Sequence, residues 1–354
     1  MKIALILPNN VWFCPYVSIY TEVFKNYGID YDIISWSRDG SHEDAIQFYY
    51  VPKSRSIVAM LYSYRRFASF VKKTIRKNRY DRLVVFTPQS GIFLRAYLKK
   101  EFKDRYILDY RDLSIEQKAI FKRPFIDLLQ NSFANVISSP GFKEYLPNGF
   151  DYILSHNFNV SEVRKAVKDK TIVEINKKPI DILTIGGIRD YDSNVQIIEH
   201  LINLGDFTVR FVGKGPSAAA LQQKSVELSA NNVSFEGYYP KEKEKNYIEE
   251  STFLNIYYPR KPSHDAAISN RFYNSLIYRK PMITTKNTTQ GDYAEKYNVG
   301  VALDNCDNLS NVLREYVTTI NAKRFCEDCN GLLQGFLYDY EKWKAMVLKF
   351  AETN

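Results

Sequence analysis

Short apolar runs that end in turn residues alternate along this chain with stretches of helical spacing. The first run, KIALIL, stops at Pro8 and two asparagines, the pattern of a strand buried on both faces. VSIYTEVFKNYG follows with helical period and ends at Gly28. YDIISW and IQFYYV then read as strands, and the pattern predicts a long helix from Ser56 to Lys77. RLVVFT, RYILDY and ANVISS are further strand candidates, again separated by helical stretches. Strands alternating with helices need crossover connections and therefore predict a parallel sheet.

From Val160 to Pro179 the chain is charged and has no strand-like run, which reads as a connection between domains. The alternation then restarts with DILTIGG, FTVRFVG, VSFEG, TFLNIYY, PMITT and VGVAL, and a helical tail ends in the amphipathic YDYEKWKAMVLKF. The expected fold class is α/β: two doubly wound, Rossmann-like domains facing a cleft. Residues 1–160 form the first, joined by a returning helix over 336–352, and residues 178–335 form the second. In such sheets ligands bind beyond the carboxyl ends of the strands, so the loops there are where function is sought.

Composition narrows the partners. The chain has 354 residues, enough for two domains, with the apolar and charged content of an ordinary globular protein. A net charge of +9 implies attraction to nucleic acid, phosphorylated small molecules or an acidic membrane surface. Four cysteines without a regular framework suit a reducing compartment, and Cys326 and Cys329 of CEDC read as ordinary helix residues. No secretory leader and no run long enough to span a bilayer is visible, so the expectation is a cytoplasmic protein, at most lying on a membrane.

Candidate chemistry sits in four places. In TIGGIRDYDSN a strand ends at Gly186 and Gly187, followed by Arg189 and a helix start. Close-approaching amides, a helix N-terminus and a guanidinium fork together suit a pyrophosphate, although a tight turn with a surface arginine has the same sequence. In RFVGKGP the third glycine and the distal acid of a dinucleotide site are absent; Lys214 is either a phosphate contact or part of a plain loop. In SNRFYNSLIYRKPMITT, Ser269 is placed as the cap of a short helix, with Asn270, Arg271 and Asn274 in its first turns and Phe272, Leu276 and Ile277 on its buried side. The preceding polar loop carries His264 and Asp265. The fourth place is residues 65–79, where Arg65, Arg66, Lys72, Lys73, Arg76, Lys77 and Arg79 flank Phe67, Phe70, Val71 and Ile75 at helical spacing. That pattern fits either a helix on an anionic membrane or a core helix with a solvated basic face. No nucleic-acid-binding module is present.

These stretches resemble GT-B-fold glycosyltransferases, particularly family 4 enzymes of bacterial capsule and surface polysaccharide assembly. SNRFYNSLIYRKPMIT is similar to the family's donor-binding segment and GGIRDYDSNVQIIEHL to its glycine turn with phosphate-binding arginine. VRFVGKGP, VSFEGYYPKEKEKNYIEESTFLNIYY, ILDYRDLS, VISSPGFKEYL, ILSHNF and YDYEKWKAMV resemble further units across nearly the whole chain. There are departures. Asn274 stands where the family has its ribose-binding glutamate, the preceding acidic position falls on Ala266 with Asp265 beside it, and Asn194 and Val195 occupy the region of a family lysine.

The resemblance implies transfer of a sugar from a nucleoside-diphosphate donor, UDP-linked by preference, to a glycan or lipid-linked glycan. The expected reaction retains configuration and uses no metal or other cofactor. Gly186, Gly187, Arg189, Lys214, Ser269, Asn270, Arg271 and Asn274 would bind the donor, with Arg189, Asp265 and His264 nearest the chemistry. Asn9, Asn10, Asp109, Arg111 and Asp112 would form the acceptor side. A non-catalytic subunit of the same fold and a nucleotide-sugar epimerase are the alternatives.

Overall fold

A computed structural model describes residues 1–52, 54 and 56–352. The chain divides into two compact units, Met1–Asn157 joined by the stretch from Asp339 onward, and Phe158–Tyr338.

Among the described residues the first unit is built on a seven-stranded sheet. Its strands are β1 (Lys2–Ile6), β2 (Asp30–Ser37), β3 (Ile46–Tyr49), β4 (Arg82–Phe86), β5 (Tyr106–Tyr110), β6 (Ala134–Ile137) and β7 (Tyr152–Leu154), in the order β3-β2-β1-β4-β5-β6-β7. Every pairing is parallel. The apolar runs became strands because helices cover both faces: Ile3 to Ile6 and Leu83 to Phe86 are fully buried. The sequence reading has no strand at β7, where three half-buried residues are too few to make a run.

The helix Ile57–Asn78, capped by Ser56, turns Tyr64, Phe67, Ala68, Val71 and Ile75 into this core, where Trp36 stacks on Phe67 at 5.3 Å. Of the apolar residues within 65–79, Phe67, Val71 and Ile75 are thus core-facing and Phe70 is half-buried.

The second sheet has the strands β8 (Ile180–Gly187), β9 (Phe207–Lys214), β10 (Val233–Glu236), β11 (Phe253–Ile256), β12 (Met282–Thr285) and β13 (Gly300–Leu303), all parallel, in the order β10-β9-β8-β11-β12-β13. Chain order reverses between β8 and β11, which opens a crevice at their carboxyl ends.

The charged stretch from Val160 to Pro179 is more than a connection. Asn159 caps a helix, Val160–Lys168, whose Val163 and Ala166 enter the second core together with Ile175. Apolar residues at helical spacing inside a highly charged segment account for the difference.

A single helix, Ala322–Glu352, serves both units. Phe325, Leu333 and Phe336 pack in the second core. Within the first unit, Trp343 is fully buried against Tyr20, with ring centres 4.8 Å apart, and its Nε1 donates to the Tyr20 hydroxyl. Cys326 and Cys329 are buried and unbridged on this helix, as ordinary helix residues are. Among the described residues, no helix is long and apolar enough to cross a membrane.

Candidate functional site

The crevice between the ends of β8 and β11 holds a cavity of about 340 Å³, lined by Gly186, Gly187, Arg189, His264, Ser269, Asn270, Arg271 and Asn274 among others. Residues from four separated sequence segments, 185–190, 244, 258–274 and 290, therefore meet in one place within the second unit.

The glycine turn is shaped by backbone packing. Gly186 has φ of +92°, a conformation that side chains resist. Gly213 and Gly215, at the end of β9, lie so close that an added Cβ would come 2.1 Å from the Gly186 carbonyl oxygen and 2.0 Å from that of Ile188. The Gly-x-Gly of RFVGKGP thus lets one strand end press against the next. Lys214 is not among the cavity lining; its ammonium sits 5.5 Å from the Tyr238 ring centre.

After the turn, Arg189 is exposed and folds back so that its Nε lies 3.4 Å from where a Cβ on Gly187 would be. Asp190, with φ of +54°, leads into the helix Tyr191–Leu201, whose N-terminus adds partial positive charge. Its carboxylate faces the ammonium of Lys261 at 3.5 Å.

Buried amides hold this loop. Asn194 Nδ2 donates to the carbonyls of Arg189 and Asp190, and its Oδ1 accepts from Asn255 Nδ2, which also donates to Thr184 Oγ. Asn194, in the region of the family lysine, is a loop lock facing the protein interior.

Arg271 does something the sequence did not suggest. Its Nε donates to the Ile185 carbonyl at 2.6 Å, Nη1 to that of Asn255 at 3.2 Å and Nη2 to that of Gly187 at 2.9 Å. It ties the carboxyl ends of β8 and β11 together. Ser269 occupies the cap position of the helix Asn270–Ile277 but makes no side-chain cap bond; its Oγ and amide both donate to Gln290 Oε1. Asn274 lines the cavity one turn further on, and Phe272, Leu276 and Ile277 are buried beneath.

His264 is half-buried and lines the cavity, with Nδ1 3.0 Å from the Pro259 carbonyl, a contact that requires a proton on Nδ1. Asp265 is drawn elsewhere. Arg260 grips it with two bonds of 3.0 and 3.2 Å, and it is absent from the cavity lining, because an adjacent helical position points to another face.

Glu244, unremarked in the sequence reading, does line the cavity and accepts from the Tyr239 hydroxyl at 3.2 Å. Burial raises the pKa of Tyr239, with Arg271 opposing, so it stays a neutral donor. Gln290, Asn255 and Glu244 carried no local signal, since each matters only through a neighbour distant in sequence.

In the first unit the acceptor-side candidates separate into two kinds. Asp109 is fully buried in β5 and accepts from the Tyr20 hydroxyl and from Arg111 Nη2, both at 2.7 Å. Arg111 continues to the carbonyl and hydroxyl of Ser155 at 3.0 and 3.1 Å. These two residues form an internal tie that offers a ligand no open carboxylate. Asn10, also buried, donates to Asp39 and Ser41 and accepts from the Arg38 amide. Asn9 is half-buried and Asp112 exposed.

No protein-family model and no curated protein matches the sequence. Solved structures do. Sucrose-phosphate synthase from Thermosynechococcus elongatus is 12% identical with a TM-score of 0.70, covering 100% of each chain. HepE from Anabaena in complex with UDP and glucose is 12% identical with a TM-score of 0.68, covering 99% of this chain and 100% of that one. UDP-N-acetylglucosamine 2-epimerase from Rickettsia bellii is 8% identical with a TM-score of 0.64, covering 99% and 97%. At these identities what is shared is the fold, and the fold of this chain is that of the GT-B glycosyltransferases and their two-domain relatives.

Proposed function

We propose that this protein is a glycosyltransferase that takes a sugar from a UDP-linked donor and passes it to a glycan or lipid-linked glycan in bacterial surface polysaccharide assembly. The observation that carries the reading is the cavity at the β8/β11 crevice, which gathers Gly186, Gly187, Arg189, His264, Arg271 and Asn274 from two separated stretches of the chain. An anion with two phosphates finds there a guanidinium, close-approaching backbone and a helix N-terminus.

In this reading, transfer separates the anomeric carbon from a diphosphate, and negative charge grows on the leaving oxygens. Arg189, the amides of the glycine turn and the N-terminus of Tyr191–Leu201 meet that charge; loss of one such donor costs about 10²–10³ in turnover. Asn274 contacts ribose hydroxyls with its amide, at lower strength than a carboxylate in that place. Arg271 acts as a positioning residue that keeps the turn in register, and His264 offers Nε2 to the transferred sugar. The reaction retains configuration and uses the cations of the chain in place of a metal.

Calorimetry on the whole protein tests this. UDP is expected to bind at least about tenfold tighter than uridine, and UDP-sugars to be slowly hydrolysed without acceptor. Absence of UDP binding, or UDP in a soaked crystal lying away from Gly186 and Arg189, overturns it. A second reading, a non-catalytic subunit, is favoured by Asn274 in place of glutamate and by the capture of Asp265 by Arg260. UDP binding without turnover of any nucleotide sugar would select it, and isomerised free nucleotide sugar would select an epimerase.

A further inference from the structure

The β8/β11 crevice is not the larger hollow in the second unit. A cavity of about 620 Å³ is walled by residues from 162–177, 245–249 and 277–280, all inside that unit. Lys177 stands three residues before β8 and Lys280 two before β12, so this cavity lies at the amino end of the strands, opposite the crevice.

Some of its charges are already matched. Arg279 donates to the carbonyls of Ala166, Asp169 and Thr171 and pairs with the Asp169 carboxylate at 3.3 Å. Lys245 pairs with Glu249 at 3.5 Å. Lys280 is buried, with Nζ on the carbonyls of Glu249 and Ser251 at 2.6 and 2.7 Å, which leaves one of its three N–H groups. Among the described residues Lys165 and Lys177 make no ion pair, and neither do Glu162 and Glu174. Burial first, and the charge of Lys177 second, push the Lys280 pKa down to about 8, so two ammonium groups repel across this cavity.

The wall therefore offers the cations Lys165, Lys177 and Lys280 beside two carboxylates and the half-buried Tyr278. A doubly charged anion relieves the repulsion among the cations, while Glu162 and Glu174 oppose a bare polyanion and accept from hydroxyl groups. A phosphate monoester on a hydroxylated carbon skeleton carries both features, being close to a dianion at neutral pH. Two helices lead from here to the crevice. Asn270–Ile277, about 12 Å long, has Asn270, Arg271 and Asn274 at the crevice and Ile277 at this cavity. In Glu244–Glu250, Glu244 lines the crevice, and Lys245 and Glu249 line this cavity. Lys280 follows the first helix closely and is bonded to the last turn of the second, so a ligand that engages it bears on both.

We propose that this cavity is a regulatory site for a small phosphate monoester bearing several hydroxyls. Lys165, Lys177 and Lys280 take the phosphate, Glu162 and Glu174 take the hydroxyls, and the two helices carry the occupancy to the crevice. The inference does not rest on what the crevice binds, since both the site and its link to those helices are read without a nucleotide.

Calorimetry and hydrogen exchange on the whole protein test it, with ribose 5-phosphate, inorganic phosphate and ribose as probes. Ribose 5-phosphate is expected to bind at least about tenfold tighter than either of the others, since each of those carries only one of the two recognised features. The combined Lys165→Gln and Lys177→Gln variant should lose about tenfold or more, whereas Arg189→Ala, in the crevice, should bind this probe as the wild type does. Both lysines are exposed, and an unchanged melting temperature without probe shows the variant intact. Saturating ribose 5-phosphate should slow exchange at least about tenfold in peptides covering Asn270–Ile277 and Glu244–Glu250. No binding of ribose 5-phosphate, equal binding of inorganic phosphate, or binding lost in Arg189→Ala and kept in the lysine variant overturns the site. Binding that leaves exchange unaltered in both helices overturns its link to the crevice.

Discussion

Arg189 and Arg271 line the same cavity, yet the structure gives them different work, and replacing each by alanine separates the two. Arg271 donates to three main-chain carbonyls that close the ends of β8 and β11. A hydrogen bond from a charged donor contributes about 1.5–3 kcal/mol, and leaving a buried acceptor unmade costs about 1–3 kcal/mol. The bond to Gly187 is exposed and counts for little, so Arg271→Ala should lower the local opening free energy by about 3 kcal/mol.

Hydrogen exchange followed by mass spectrometry on peptides covering Ile180–Gly187 and Phe253–Ile256 reads this directly, as exchange faster by about a hundredfold. Arg189 is exposed and makes no such tie, so Arg189→Ala should leave exchange in both strands unchanged. It should instead weaken UDP by at least about tenfold while sparing uridine. If Arg271→Ala left exchange unaltered and abolished UDP binding, the tie would not be its role. If Arg189→Ala weakened UDP and uridine equally, Arg189 would have no place at the phosphates.

Gly215→Ala should destabilise the second unit by about 3 kcal/mol and loosen UDP, because its Cβ would meet backbone at Ile188 rather than a movable side chain; a wild-type urea midpoint would refute this. Asn274→Ala should cost UDP about fivefold but 2′-deoxy-UDP nothing; equal losses would take Asn274 off the ribose. Lys280 is buried, with Nζ donating to the carbonyls of Glu249 and Ser251, and burial, reinforced by Lys177, pushes its pKa down from 10.5 to about 8. Between those values the unfolded chain holds the proton that the folded chain has shed, so this group's contribution to stability rises with pH there. Urea titrations from pH 7.5 to 10 should show that rise disappear in Lys280→Met, and an identical slope in both proteins would refute it.

How much of this was readable beforehand depends on the range of the interaction. The strands showed themselves because burial on both faces turns each into a continuous apolar run: KIALI and RLVVF need no knowledge of their neighbours. The glycine turn and Arg189 were visible for the same reason, as local consequences of a strand end followed by a helix start. The strand β7 was not, since three half-buried residues leave no pattern.

Tertiary structure decided the rest. Arg271 is 86 positions from Ile185, and only the adjacency of β8 and β11 brings its fork onto those carbonyls. Asp265 was lost from the cavity to Arg260, and Asp109 and Arg111 to each other, because a charge settles on whichever opposite charge or dipole packing delivers. On the helix Ile57–Asn78 the sequence determined that cations and apolar residues would alternate, while the core determined which apolar ones it would cover and which, at the first turn, stayed in the open. Local order follows from each residue's own preference for water or interior; the assignment of partners follows from which surfaces the completed sheets bring together.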